Sequence, residues 1–524
     1  MMPTAPTVPN VLFIMADQFR WDHLSCSGHP FLTTPNIDAL ARRGVRFANA
    51  FANSGVCGPS RMSFYTGRYA VTHGATWNRV PLSLAERTFG DYLHEAGRIV
   101  HLAGKSHVLP DREGLDRLGP GLSTQRRAFI ERGGFDEIDR YDGHFPPGPE
   151  SGYAAFLRDR GYGGADPWSD YVISAIDTDG TLRSGWQMRN CGFAARVREE
   201  HSETAYMTDR AIAFMQRMGG RPWALHLSYV KPHWPYLAPA PYHRLYSPGQ
   251  CLPVHRNDAE RIAAHPVVAA YREHEESVSF RSDQCIAAVR PAYQGLIKQL
   301  DDHLGRLFEH MEATGLMKDT FVIFTADHGD LLGDHWLGEK ELFYDAVQRI
   351  PFIVVDPRPE ADMTRGRVDE RFVEGVDVLP TLLDTLGLPV PEHRIEGRSL
   401  QPLLFGQSPP WREFVFSELD YSFRLARTLR GKAPRQARAF SIRDARWRYV
   451  HWLDEPEQLF DLLADPDEFN DLGRDVVHQG DCRALRERLL DFLARRKHRV
   501  TVSDAFVADH TNQRLRAGVR FGQW

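Results

Sequence analysis

The chain has 524 residues, enough for a large core or for two to three domains. Charged residues make up 25% and hydrophobic ones 42%, the net charge is −5, and no basic block is present, so no nucleic-acid footprint is indicated. No run approaches about 18 uninterrupted apolar residues, so no transmembrane helix is expected.

The first ten residues carry neither a charged n-region nor an apolar h-region, so no signal peptide is expected. Six cysteines (26, 57, 191, 251, 285 and 482) lack a paired spacing, which argues for a reducing compartment and a cytoplasmic enzyme.

Residues 11–16 form a continuous apolar run, short enough for a strand buried on both faces, and the run stops at Asp17-Gln18. Residues 34–44 read as a capped helix ended by Gly44. Asn53-Ser54-Gly55 is a loop, and Pro59 suits the first turn of the helix that follows. Residues 87–96 are helical, and 99–103 form a strand ending in Gly104-Lys105-Ser106-His107.

From about 110 to 200 the periodicity fades among Gly, Pro and aromatic residues. An irregular insertion is expected there, either a lid, a site wall or an oligomer contact, or a plain surface excursion. Residues 201–219 are helical, and 223–229 are strand-like, ending in Val230-Lys231-Pro232-His233-Trp234-Pro235. A long amphipathic helix is expected over 291–315, and strands over 321–325 and 350–355. The first of these strands ends in Ala326-Asp327-His328-Gly329.

This alternation predicts an α/β fold, a large mostly parallel sheet sandwiched by helices. In such sheets ligands bind beyond the carboxyl ends of the strands. Four apolar runs end in polar clusters: Asp17-Gln18, Lys105/His107, Lys231/His233 and Asp327-His328. They point to one site fed by several strand ends. After about 376 a helix, a turn, four short strands and a basic-ended helix read as a small α+β subdomain. The expected organisation is a catalytic domain over 1–410 that includes the insertion, a subdomain over 411–498, and a tail over 499–524 that lies on a neighbouring subunit or frays.

Asp17-Gln18 and Asp327-His328 offer two carboxylates to balance a divalent charge, plus neutral donors. Alone, Asp327-His328-Gly329 also reads as a turn with a capping Asp. Calcium prefers an all-oxygen shell, and an imidazole tilts the set toward Mn²⁺, with Ca²⁺ the alternative.

The run Cys57-Gly58-Pro59-Ser60-Arg61, followed by Thr66-Gly67-Arg68, places a cysteine at a helix N-terminus, where N–H groups attract anions. Arg61 there offers a fork matched to tetrahedral oxyanions. The run resembles the signature of type I sulfatases in the alkaline phosphatase superfamily. Further resemblances follow in chain order. Lys105 and His107 are similar to the family's Gly-Lys-x-His element, and Lys231-Pro232-His233-x-Pro235 to its Pro-His-x-Pro element. Lys340 is similar to the lysine after the second metal pair. Asn78 resembles a substrate-contacting asparagine of the phosphonate monoester hydrolases.

The resemblance implies an alkaline phosphatase-like fold and oxidation of Cys57 to formylglycine by a formylglycine-generating enzyme. It implies a single divalent metal on Asp17, Gln18, residue 57, Asp327 and His328. One oxygen of the hydrated aldehyde would attack the ester, with Arg61, Lys105 and Lys340 neutralising its oxygens. His233 would face the leaving alcohol, and His107 would deprotonate the second hydroxyl so that the transferred group is expelled. A homo-oligomer is implied as well. Gln18, His328 and Asn78 are similar to the phosphonate hydrolase branch. Lys105 and His107 have the sulfatase form where that branch carries Tyr and Thr. An arylsulfatase with secondary phosphonate monoester and phosphodiester hydrolysis is expected, with a phosphonate monoester hydrolase as the alternative. An idle binding protein on the same fold is the remaining reading.

Overall fold

In the computed structural model the described residues are 10–143, 146–148, 150–262 and 264–520. Residues 1–9, most of the N-terminal stretch on which the signal-peptide expectation falls, and the end of the tail, 521–524, lie outside them. Among the described residues fourteen strands occur in chain order: β1 (Asn10–Asp17), β2 (Val45–Phe51), β3 (Val100–Gly104), β4 (Phe135–Arg140), β5 (Ser174–Ile176), β6 (Leu182–Ser184), β7 (Ala224–Pro232), β8 (Thr320–Ala326), β9 (Phe352–Val355), β10 (Arg367–Glu374), β11 (Phe414–Asp420), β12 (Arg438–Asp444), β13 (Trp447–Trp452) and β14 (Gln458–Asp461).

Eight of them form one sheet in the order β10-β2-β9-β8-β1-β7-β3-β4. Every neighbouring pair is parallel except the two made by β9, so the expected mostly parallel sheet is observed. β7 and β8 are buried along their whole length and β1 along all but its first residue, as strands covered on both faces must be. The four strands whose ends carry the polar clusters are β8, β1, β7 and β3, and they are consecutive in the sheet. A register shift between Ala16 and Asp17 sets Asp17 opposite Pro232, at the rim where the four ends meet.

Close backbone approach fixes two glycines near these strands. A Cβ on Gly104 would lie 1.9 Å from the Ser228 carbonyl oxygen, and one on Gly44 would lie 2.0 Å from the Val354 carbonyl oxygen. Gly44 does end the helix Pro35–Arg43, but with an extended rather than left-handed backbone.

The small subdomain is an antiparallel meander, β11-β12-β13-β14, with the helix Gln479–Ala494 against it. It meets the large sheet beside the loop that precedes Cys57. Asn53 donates to the Phe416 carbonyl and to Glu374, and accepts from Val376 N–H, tying that loop to β10 and β11 at once.

Two expectations need correction. The 110–200 stretch is not irregular throughout. It supplies β4 to the sheet edge, three helices (Arg112–Leu118, Thr124–Glu131 and Gly152–Asp159) and the β5-β6 hairpin. The long helix begins at Asp283, not at Pro291, which sits inside it. The described part of the tail carries two short helices, Asp504–His510 and Gln513–Arg516, largely exposed on the surface, which leaves the expectation for the tail as it was. Among the described residues no helix is long and apolar enough to cross a membrane, and all six cysteines are free.

Candidate active site

Cys57 is the first residue of the helix Cys57–Thr66. Each motif residue around it has a structural task. The Ser60 hydroxyl donates to the Asp327 carbonyl at 2.6 Å, fastening the helix to the end of β8. Gly67 is left-handed (φ 64°) and closes the helix, so glycine suits it. Arg68 then donates to the carbonyls of Arg394 and Lys497 and pairs with Glu86.

Arg61 departs from its expected orientation. Its Nε donates to Asp327 Oδ2 at 2.8 Å, and its Nη1 to the Lys105 carbonyl (2.9 Å) and Ser228 Oγ (2.8 Å). Its Nη2 lies 3.7 Å from Asp17 Oδ2. The fork is turned onto protein groups and fixes the carboxylates, because one fully buried guanidinium is what two buried carboxylates need nearby.

Asp17, Cys57, Asp327 and His328 converge, each fully buried, with one ligand-capable atom apiece all within 4.8 Å of one another. Cys57 Sγ is 3.1 Å from His328 Nε2 and 3.8 Å from Asp17 Oδ1. His328 Nε2 is 3.7 Å from Asp17 Oδ1 and from Asp327 Oδ1. His328 Nδ1 contacts the Gly329 carbonyl at 2.9 Å, and since a carbonyl only accepts, Nδ1 carries the proton. Nε2 then turns a lone pair into the cluster, the usual arrangement of a metal-binding histidine. Burial lowers the pKa of this imidazole, but Asp327 and Cys57 outweigh burial and raise it, so the cluster draws positive charge to that nitrogen. The donor set fits a divalent cation.

Gln18 stands beside the cluster in a left-handed backbone conformation (φ 61°), with its N–H on Asp327 Oδ1 at 3.1 Å. Its Nε2 donates to Tyr236 and Asp330, and its Oε1 accepts from Lys340 Nζ at 2.9 Å. Lys340 Nζ also reaches Cys57 Sγ (3.3 Å) and His233 Nε2 (2.9 Å). His233 Nδ1 meets the Trp234 carbonyl at 2.7 Å, which assigns the proton to Nδ1 and leaves Nε2 to accept from Lys340. Lys105 pairs with Asp17 Oδ2.

Burial would push the Cys57 thiol up, but Lys105, Lys340, His328 and a hydrogen bond with His107 hold it well below its ordinary value. Burial and Cys57 likewise oppose ionisation of Asp17, yet Lys105, His233 and Arg61 hold it well below the usual carboxylate range.

Asn78 Oδ1 accepts from Gly58 N–H at 2.7 Å, so this amide caps the helix that carries Cys57. His107 is left-handed (φ 57°), and Asp142 Oδ1 accepts from the N–H groups of Ser106 (3.1 Å) and His107 (3.3 Å). Arg140 pins Asp142 through Oδ2.

Sequence reasoning missed several supports. Asp330 and Tyr236 orient Gln18. Ser228 holds Arg61, while Lys231, already singled out in the sequence, props the His233 loop through the carbonyls of His233 and Pro235. Asp330 and Tyr236 lie three residues past Asp327 and His233, close enough for the motifs to have suggested them.

Known proteins resemble this chain in sequence and in fold. The Sulfatase family model matches residues 9–388, and the model for the N-sulphoglucosamine sulphohydrolase C-terminal region matches 333–495. The chain is 32% identical to the multifunctional alkaline phosphatase superfamily protein PehA of Trinickia caryophylli, over 93% of this chain and 95% of that one. It is 26% identical to an arylsulfatase of Clostridium perfringens, over 94% and 96%. The structure of the phosphonate monoester hydrolase SpPMH from Silicibacter pomeroyi superposes with a TM-score of 0.83 at 32% identity, covering 94% of this chain and 96% of that one.

Fold and site together define a hydrolase of the alkaline phosphatase superfamily, acting on sulfate or phosphonate esters. Within it, the chain belongs to the sulfatase family.

Proposed function

We propose that this chain hydrolyses aryl sulfate monoesters through residue 57 as formylglycine, with phosphonate monoesters and phosphodiesters as secondary substrates. The observation that carries the reading is the set of neighbours of Cys57: Asp17, His107, His328 and Lys340 all meet its buried side chain. A formylglycine-generating enzyme is the partner that would install the aldehyde, whose hydrate supplies two hydroxyls on one carbon. Asp17, Gln18, Asp327, His328 and residue 57 would hold the divalent ion, Mn²⁺ over Ca²⁺ because one donor is an imidazole. Such an ion supplies Lewis acidity and lowers the pKa of an attacking hydroxyl.

The chain's own groups do the rest. Arg61 aims Asp327 through its Nε and helps to hold Asp17 ionised. Lys105 and Lys340 neutralise charge on the non-bridging oxygens of the ester. Lys340, hydrogen-bonded to His233 Nε2, passes a proton to the departing alcohol oxygen as the sulfur–oxygen bond breaks. His107 takes the proton of the second hydroxyl at residue 57, so that the transferred group is released without a second attack on sulfur. Asn78 acts indirectly here, by positioning the helix that carries residue 57.

A phosphonate monoester hydrolase is the second reading, favoured by the likeness to the Silicibacter enzyme. Comparing kcat/KM for an aryl sulfate with that for the same aryl phenylphosphonate separates them. The sulfate is expected to be the better substrate, and a strong preference for the phosphonate would reverse the assignment. A homo-oligomer with the tail as an arm completes the proposal.

A further inference from the structure

Beside Lys340 and His233 lies a cavity of about 270 Å³ whose walls include Trp186, Trp234, Tyr236, Glu276 and Glu339. Its position follows from the chain: Trp234 and Tyr236 come directly after His233, and Glu339 directly precedes Lys340. The Trp234 ring centroid lies 4.7 Å from that of His233. The cavity therefore adjoins the His233–Lys340 end of the site, the end that the proposed function gives to the leaving alcohol.

Its chemistry is distinctive. The Trp186 and Trp234 rings meet edge-on at 5.5 Å and 63°. Glu275 adds a third carboxylate at the rim, and no lysine or arginine lines the cavity among the described residues. Glu276 is paired with Arg424, which also reaches Glu341. Glu339 is half-buried and has no ion pair among the described residues. It is held in a left-handed conformation (φ 59°), with its carbonyl accepting from Leu331 N–H at 2.6 Å. Burial pushes its carboxyl up to about 7, Glu276 adding to the effect against Lys340 and Arg424. Aromatic faces beside a carboxylate attract cations and repel anions.

Resting on the ester-hydrolase reading above, we infer that this cavity is a leaving-group subsite for an alcohol bearing a cationic, quaternary-ammonium-type group. The ester oxygens then face Lys105 and Lys340, while the ammonium head sits among Trp186, Trp234 and Glu339. The substrate class becomes a zwitterionic ester. The inference also gives the 110–200 stretch a role, since Trp186 follows β6 within it.

Two measurements on the full chain test this. The first needs no turnover: calorimetric binding of phenyltrimethylammonium against its neutral isostere tert-butylbenzene. The cation is expected to bind at least about tenfold more tightly, and to lose that advantage in Glu339→Gln and in Trp186→Leu. Trp186 is 45% exposed, so its replacement leaves the core intact.

The second compares kcat/KM for 3-(trimethylammonio)phenyl sulfate and 3-tert-butylphenyl sulfate. The cationic ester is expected to be preferred about tenfold, and each variant should bring the ratio toward one. Equal binding of both probes to the wild type, or an unchanged preference in both variants, overturns the subsite. Absence of sulfate hydrolysis with cation binding intact would instead overturn the ester reading and leave the cation site standing.

Discussion

Lys340 Nζ lies 2.9 Å from His233 Nε2, and the same ammonium is 3.3 Å from Cys57 Sγ. In the proposed mechanism the pair joins the position of the nucleophile to that of the leaving group. Burial would lower the Lys340 pKa, but Cys57, Glu339 and Asp17 outweigh it and raise it, so the lysine stays charged. Removing either partner should slow the release of poor leaving groups most. For His233→Ala and Lys340→Ala, kcat/KM is expected to fall by about 10²- to 10⁴-fold. Across a series of aryl sulfates its dependence on the alcohol pKa should steepen. An unchanged slope in both variants would remove the pair from the protonation step.

Asp327 accepts from Arg61 Nε at 2.8 Å, both side chains fully buried. Asp327→Asn should therefore do two things. It should empty the cation site, read as loss of bound manganese by elemental analysis. It should also leave Arg61 short of a counter-charge, at a stability cost of about 3 kcal/mol in chemical denaturation. Asp17→Asn should lose the metal in the same way.

Arg61→Lys keeps the charge but not the fork. A lysine cannot serve Asp327, the Lys105 carbonyl and Ser228 together in the same geometry. A loss of about 2–4 kcal/mol is expected from the buried acceptors left unmatched, read as a lowered denaturation midpoint. Wild-type stability in this variant would show that the fork is dispensable to the fold.

Acid sensitivity should report Asp334. Its carboxylate takes Arg20 on Oδ2 and Arg290 on Oδ1, each at 2.6 Å. Burial would raise its pKa, but Arg20 and Arg290 hold it at about 2. A carboxylate depressed by folding contributes stability above its unfolded value near 4 and loses it as pH falls toward 2. About 2 kcal/mol is at stake in that window. Asp334→Asn should be less stable at neutral pH, and the wild-type advantage should vanish by about pH 2.

Much of the site was legible because its residues sit where apolar runs stop. Asp17, Lys105, His233 and Asp327 mark strand ends, and strand ends gather on one rim of a parallel sheet. β2, β4 and β10 were not legible. β4 reads Phe-Asp-Glu-Ile-Asp-Arg, with only Phe135 buried, so it has neither an apolar run nor a clean alternation. Pro291 misled because proline usually opens a helix, whereas here about two helical turns precede it. The orientation of Arg61 was illegible for another reason. A guanidinium offers the same donors to a substrate oxyanion and to a buried carboxylate, and only the fold chooses between them.

The central claim is that residue 57 reacts as an aldehyde derived from cysteine. The most direct test co-expresses the chain with a formylglycine-generating enzyme at graded levels, measures the converted fraction of the Cys57 peptide by mass spectrometry, and assays aryl sulfate turnover in the same samples. Turnover should rise in proportion to conversion and be absent from Cys57→Ala. Full activity in protein whose residue 57 is entirely thiol would contradict the account.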